Sequence, residues 1–148
     1  MQKRYTVIDL FAGPGGLGEG FSRFVASEGY HPFHIALSVE KEQSAHKTLE
    51  LRAFFRQFEA TPPEYYDYLR GTISRGELFS AYPTQARTAQ TETMGGPLAL
   101  GDSADDDVIY NRLRALRQTK EAFVVIGGPP CQAYSLVGRA RNQGVAGY

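Results

Sequence analysis

The chain contains one cysteine, Cys131, and it stands in the stretch Gly127-Gly128-Pro129-Pro130-Cys131-Gln132, directly after the apolar run Phe123-Val124-Val125-Ile126. An unperturbed thiol is only a few per cent thiolate at neutral pH, yet it is nucleophilic enough to attack an electron-poor ring. A lone cysteine can also be a small buried hydrophobe. Its place just past a strand, beside Pro129 and Pro130 and ahead of Gln132 and Ser135, favours chemistry. A second set of residues lies near the start of the chain, where Gly13-x-Gly15-x-x-Gly18 follows another apolar run and the acidic Glu40 comes about 20 residues further on. Glycines there let a backbone approach a ligand closely, and a carboxylate at the end of the next strand can take ribose hydroxyls by charge-assisted hydrogen bonds. The alternative is a purely structural glycine turn with a surface glutamate. On spacing alone an NAD site and an S-adenosylmethionine site look alike. Asp9 tilts the choice, because a carboxylate near the loop can hold an ammonium group, which NAD lacks. Phe11 is placed to stack on an adenine face.

These residues require strands that end together. Tyr5 to Phe11 reads as a first strand running into the turn at Ala12-Gly13-Pro14-Gly15-Gly16-Leu17-Gly18. A helix follows over EGFSRFVAS, with Phe21, Phe24 and Val25 at helical spacing and Gly29 as a stop signal. Phe33 to Val39 reads as a second strand that delivers Glu40, and a helix over Gln43 to Phe58 carries an apolar stripe of Ala45, Leu49, Phe54, Phe55 and Phe58. From Glu59 to Gly96 the pattern loosens into short helical pieces, tyrosines and glycine breaks, and reads as an insertion. Pro97 to Leu100 reads as a third strand ending in a turn at Gly101-Asp102. The triplet Asp105-Asp106-Asp107 precedes a helix with Val108, Ile109, Leu113 and Leu116, and reads as charge complementing a helix dipole rather than as a metal site. Phe123 to Ile126 is the fourth strand: buried, parallel, and stopped by residues that cannot continue a ladder or a helix.

Strands alternating with helices imply right-handed crossovers and a parallel sheet. The fold expected is α/β, a partial doubly wound Rossmann-like sheet truncated after its fourth strand. In the order 3-2-1-4 the first and fourth strands are neighbours, so the glycine turn and Cys131 face each other across one crevice.

Length and composition set the outer limits. The chain has 148 residues, 42% hydrophobic and 22% charged, which suits one soluble domain. Its formal net charge of zero gives no global attraction to nucleic acid or to an anionic membrane. A single cysteine forms no intrachain disulfide, and no apolar stretch approaches the roughly 20 residues of a membrane span. The expectation is an intracellular, reducing setting.

Taken together, the motifs resemble those of the cytosine-5 DNA methyltransferases. Asp9-Leu10-Phe11-Ala12-Gly13-Pro14-Gly15-Gly16-Leu17 resembles that family's cofactor loop, Glu40 its ribose-binding acid, Gly101-Asp102 its adenine-contacting aspartate, and Pro129-Pro130-Cys131-Gln132-Ala133-Tyr134-Ser135 its catalytic motif. The resemblance covers most of the chain outside Glu59 to Gly96. It departs at Lys41, where an apolar or aromatic residue is usual and the lysine stem would have to pack on the adenine; at Ser103, where a larger apolar residue is common; and at Tyr134, which replaces phenylalanine.

The resemblance implies a bacterial modification methylase of a restriction-modification pair, cytoplasmic and associated with the nucleoid, with S-adenosylmethionine as cofactor and double-stranded DNA as partner. Cys131 would add to C6 of a cytosine flipped out of the duplex, C5 would take the methyl group, and loss of the C5 proton would release the enzyme. Gln132, Ser135, Arg139 and Arg141 would meet DNA, the two arginines from a basic segment resembling a mobile loop. The sequence stops at Tyr148, ahead of the family's Glu-Asn-Val motif, target-recognition domain and C-terminal segment. The expectation is therefore a part of an enzyme that is inactive alone and associates through its exposed fourth strand or with a missing C-terminal half. The competing expectations are an NAD-binding domain, a non-catalytic regulatory partner that binds cofactor, and a relative acting on tRNA.

Overall fold

The computed structural model describes residues 2–119 and 121–130. Three parallel strands form its sheet: β1 (Tyr5–Leu10) in the centre, β2 (Phe33–Val39) on one side and β3 (Ala122–Gly127) on the other. β1 and β2 are nearly continuous apolar runs, as strands covered on both faces must be. β3 is the stretch expected as the fourth strand, and it lies beside the first as expected. Pro97 to Leu100 is not a strand, so the sheet has three strands among the described residues where four were expected.

The reason lies in the backbone hydrogen bonds of that segment. Leu98 N–H donates to the Glu40 carbonyl at 2.9 Å, a single bond at the end of β2. The next donors are taken by side chains: Asp105 accepts from Ala99 N–H at 2.8 Å and Asp106 from Gly101 N–H at 3.0 Å. Those bonds tie the segment to the start of the following helix instead of to a neighbouring strand.

Helices cover the sheet. α1 (Gly16–Arg23) follows the glycine turn and ends earlier than its apolar spacing predicts. Phe24 leaves the helix, and both it and Phe21 set their rings edge-on against Phe33 at the start of β2. α2 (Gln43–Phe55) is capped by Glu42, whose carboxylate accepts from Ala45 N–H. It stops three residues short of Phe58.

The insertion is helical: α3 (Pro63–Leu69), α4 (Arg75–Ala81) and α5 (Pro83–Glu92). Two begin with a proline in the first turn, and α4 begins with a capping box between Ser74 and Glu77. They bury a core of their own around Phe54, whose ring stacks on Phe79 and meets Phe55, Phe58 and Tyr82 edge-on. α6 (Ser103–Leu116) closes the other layer, placing Ile109 and Leu116 against Ile8, Leu37 and Val39. Among the described residues no helix is long and apolar enough to cross a membrane.

Candidate functional site

β1 and β2 end side by side, and their last residues build the floor of a cleft of about 240 Å³. The turn after β1 is held by Ala12 N–H donating to the Val39 carbonyl at 2.9 Å. Phe11 then adopts a left-handed conformation (φ 58°), uncommon for a non-glycine residue, which leaves its ring 40% exposed at the cleft. Gly13 and Gly15 are also left-handed, and Gly15 caps α1. A Cβ on Gly15 would lie 2.9 Å from Leu49 Cδ1 of α2, so this position needs a glycine for space as well as for φ.

Glu40 joins the two strand ends. Its Oε2 accepts from Gly13 N–H at 2.8 Å and its Oε1 from Glu42 N–H at 2.7 Å. Each carboxylate oxygen keeps a lone pair for a ligand hydroxyl. Lys41 follows it on the rim, while Val39, Leu98 and Leu100 supply an apolar wall.

The far side comes from β3. Gly128 and Pro130, immediately before Cys131, line the same cleft as Phe11, Gly13 and Glu40. Gly127 makes this approach possible, since a Cβ there would fall 1.9 Å from the Leu10 carbonyl oxygen. Cys131, Gln132, Ser135, Arg139 and Arg141 lie outside the described residues.

Of the described residues expected at the site, Phe11, Gly13, Glu40 and Lys41 line the cleft. Ala12, Gly15, Gly16, Leu17 and Pro129 are not among the residues that line it. Leu98, Leu100 and Val39 line it without having been singled out, and Gly128 and Pro130 line it although they were read as part of the motif around Cys131 and given no role of their own; the signal for the leucines was their short apolar run, whose alternation could have been set against Glu40.

Two aspartates sit elsewhere than expected. Asp102 is the N-cap of α6, its Oδ1 accepting from Ala104 N–H at 3.0 Å and Asp105 N–H at 3.3 Å, and it does not line the cleft. Asp9 is fully buried and so is not open to a ligand's ammonium group. Strand alternation accounts for this: Ile8 packs toward α6, so Asp9 points to the opposite face, beneath α1. A Cβ on Gly18 would lie 3.1 Å from its Oδ2.

Beneath α1 the charges form a buried cluster. Arg56 bridges Glu19 of α1 at 3.1 Å and Glu92 of α5, and Ser38 donates to Glu92. Burial pushes the Asp9 carboxyl up from its ordinary value against the pull of Gly18 N–H and of Arg56, although neither Asp9 oxygen reaches hydrogen-bonding geometry among the described residues. Burial raises Glu92 to about 7, with Arg56 and Ser38 opposing and Asp9 adding to the rise.

No family model matches the chain, and no solved structure does. Over 95% of its length the chain is 37% identical to the type II methyltransferase M.Bpa9945I of Bacillus paralicheniformis. It is 29% identical, again over 95% of its length, to M.OihORF3336P of Oceanobacillus iheyensis, which carries a provisional type II methyltransferase name. The chain spans 34% of the first relative and 21% of the second, so it is similar to one portion of proteins named type II methyltransferases.

Proposed function

We propose that this chain is the cofactor-binding and nucleophile-bearing part of a cytosine-5 DNA methyltransferase of a restriction-modification pair, working in the bacterial cytoplasm on nucleoid DNA. The observation that supports this best is the shared cleft: residues of the glycine turn and the residue before Cys131 line one space.

The cleft's chemistry fits S-adenosylmethionine. Glu40 retains acceptor capacity for two ribose hydroxyls, the exposed Phe11 ring and the Leu98 and Leu100 wall suit an adenine, and the Lys41 stem can pack along its edge. When bound, that cofactor supplies an electrophilic methyl group. In this proposal Glu40 orients the ribose and holds the turn, while Phe11 excludes water from the base. Asp9, being buried, leaves the ammonium group to other residues.

Cys131 acts as nucleophile. Its thiolate adds to C6 of a flipped cytosine, which makes C5 electron-rich. After methylation a base removes the C5 proton, the ring electrons return, and the C6–S bond breaks to free the thiolate. Gln132, Ser135, Arg139 and Arg141 contact the duplex around that base. Protonation or hydrogen bonding at cytosine N3, a kind of contribution worth roughly 10² to 10⁴ in rate, must come from a residue outside this set.

The test uses the full-length protein. Calorimetry should detect S-adenosylmethionine and not NAD, and duplex DNA containing 5-fluorocytosine should trap a covalent adduct on the wild type and not on Cys131→Ser. NAD binding without S-adenosylmethionine binding, or an adduct that survives the substitution, would overturn the reading.

A further inference from the structure

A second cleft, of about 230 Å³, opens beside the first half of β2, between α5, α6 and the end of α2. Arg87 of α5 and Arg112 of α6 line it, together with His34, Gln57 and Thr88. This is the other end of β2 from Glu40. On β2 the nearest residues lining the two clefts are Ala36 and Val39, about 10 Å apart at 3.3 Å per residue.

The electrostatics are unusual for so small a space. Among the described residues neither Arg87 nor Arg112 forms an ion pair, whereas Arg56 nearby is shared between Glu19 and Glu92. Arg112 gives one N–H to the Ala36 carbonyl at 3.2 Å, and its Nε is buried with no acceptor. Glu92 also lines the cleft, with its Oε1 accepting from Arg56 and Ser38. The hydroxyl protons of Thr88 and Thr91 are given to helix carbonyls and one amide N–H of Gln57 to the Ala53 carbonyl, so the side-chain donors left for a ligand are the two guanidiniums, His34 and the second Gln57 N–H. Two arginines lining one cleft, each able to donate to two oxygens at once, suit a tetrahedral oxyanion.

We infer that this cleft is a phosphate-binding site, held by Arg87 and Arg112 and separate from the cofactor cleft. A phosphate there supplies a counter-charge that neither guanidinium has among the described residues. The phosphate could be a free or nucleotide phosphate or a phosphodiester of duplex DNA. Either source presents the same oxygens.

His34 gives a local readout. Its imidazole is held below its ordinary value chiefly by desolvation, with Arg56, Arg4 and Arg112 adding to the effect, Glu121 opposing it and Glu92 also facing the cleft. A bound anion should reverse part of this. We would titrate inorganic phosphate into the full-length protein at constant ionic strength in chloride, following the His34 ring signal by NMR, identified through His34→Gln, alongside calorimetry. The expected result is a saturable upward movement of the His34 titration midpoint. Binding should weaken about tenfold in Arg87→Ala, an exposed helix position whose loss should not unfold the chain, and at least as much in Arg112→Met.

A poly(dA)·poly(dT) duplex forms the second arm. Displacement of phosphate by the duplex identifies a DNA phosphodiester as the occupant, and binding of phosphate without displacement identifies a small phosphate. No movement of the His34 signal with either, or a movement that Arg87→Ala leaves unchanged in a folded protein, overturns the inference.

Discussion

The Glu40 carboxylate accepts the Gly13 backbone N–H at 2.8 Å, so the residue at the end of β2 fixes the turn that follows β1. One side chain thereby both shapes the cleft and offers it an acceptor. Its other oxygen is anchored by Glu42 N–H, which leaves the carboxylate little freedom to rotate. A rigid acceptor loses less entropy on binding than a free one.

Replacement of Glu40 by alanine should therefore affect binding more than folding. Two charge-assisted hydrogen bonds to ribose hydroxyls are worth roughly 10²-fold in affinity, while the lost tether of an exposed turn costs about 1 kcal/mol of stability. Calorimetry with S-adenosylmethionine and urea unfolding of Glu40→Ala separate the two effects. Unchanged affinity with reduced stability would leave Glu40 a structural tether only.

Gly127 should be the least tolerant glycine of the sheet. A methyl group there would meet the Leu10 carbonyl oxygen at 1.9 Å and its carbon at 2.9 Å, and both are backbone atoms of the central strand. β1 and β3 would have to move apart, breaking the register that brings Pro130 to the cleft. Gly127→Ala should cost about 2–4 kcal/mol and abolish cofactor binding. Gly20, inside α1 with nothing within 4 Å of its added Cβ, is the control: Gly20→Ala should be stabilising by about 0.5–1 kcal/mol. Equal losses in the two variants would refute this account of the strand pair.

Glu92 should make stability fall as pH rises. Its carboxyl titrates near 7 in the folded chain and near 4.5 when exposed, so the unfolded chain loses the proton first. The folded state is favoured below pH 4.5, and that advantage is lost progressively up to pH 7, by at most about 3 kcal/mol. Asp9, raised in the same direction, adds to the trend, whereas His34, lowered, works against it. The difference between wild type and Glu92→Gln cancels the His34 contribution. That difference in urea midpoint should grow in favour of the glutamine variant between about pH 5 and 8. A flat difference would mean that Arg56 holds Glu92 ionised throughout.

The strands are legible in the sequence because each is an apolar run stopped by glycine, proline or an acid, and the neighbouring of β1 and β3 is what the doubly wound order 3-2-1-4 implies. The pairing of Gly13 with Glu40 in one site is legible too. The segment from Pro97 to Leu100 misleads because its fate depends on Asp105 and Asp106, which capture its N–H groups from the start of the next helix. Charge near a helix start complements the dipole, as expected, but its reach back into the preceding loop leaves no trace in periodicity.

Asp9 departs from expectation for a different reason. Nearness in sequence to the turn suggests nearness to the ligand, yet alternation along β1 already separates Asp9 from Ile8, and that parity outweighs proximity. The insertion is opaque in sequence because α3, α4 and α5 are short and draw their stability from one aromatic cluster on Phe54 rather than from a long amphipathic stripe.

The side of β3 away from β1 has no strand beside it among the described residues, and Val125 in the middle of β3 is 64% exposed. An unpaired apolar strand offers both a row of hydrogen-bonding groups and a surface that gains by leaving water, and the natural remedies are charge or cover. The chain of 148 residues should therefore self-associate at micromolar concentrations. Val125→Lys should shift it toward monomer because a charge would have to be buried for two such edges to pair, whereas Val125→Thr, which keeps strand propensity without charge, should not. Light scattering across a concentration series measures this. Hydrogen exchange locates the contact, since pairing should slow the outward amides of β3 in the wild type and not in the lysine variant. A wild-type chain that stays monomeric at high concentration, with fast exchange at those amides, would show that this edge is kept apart by something other than a strand partner.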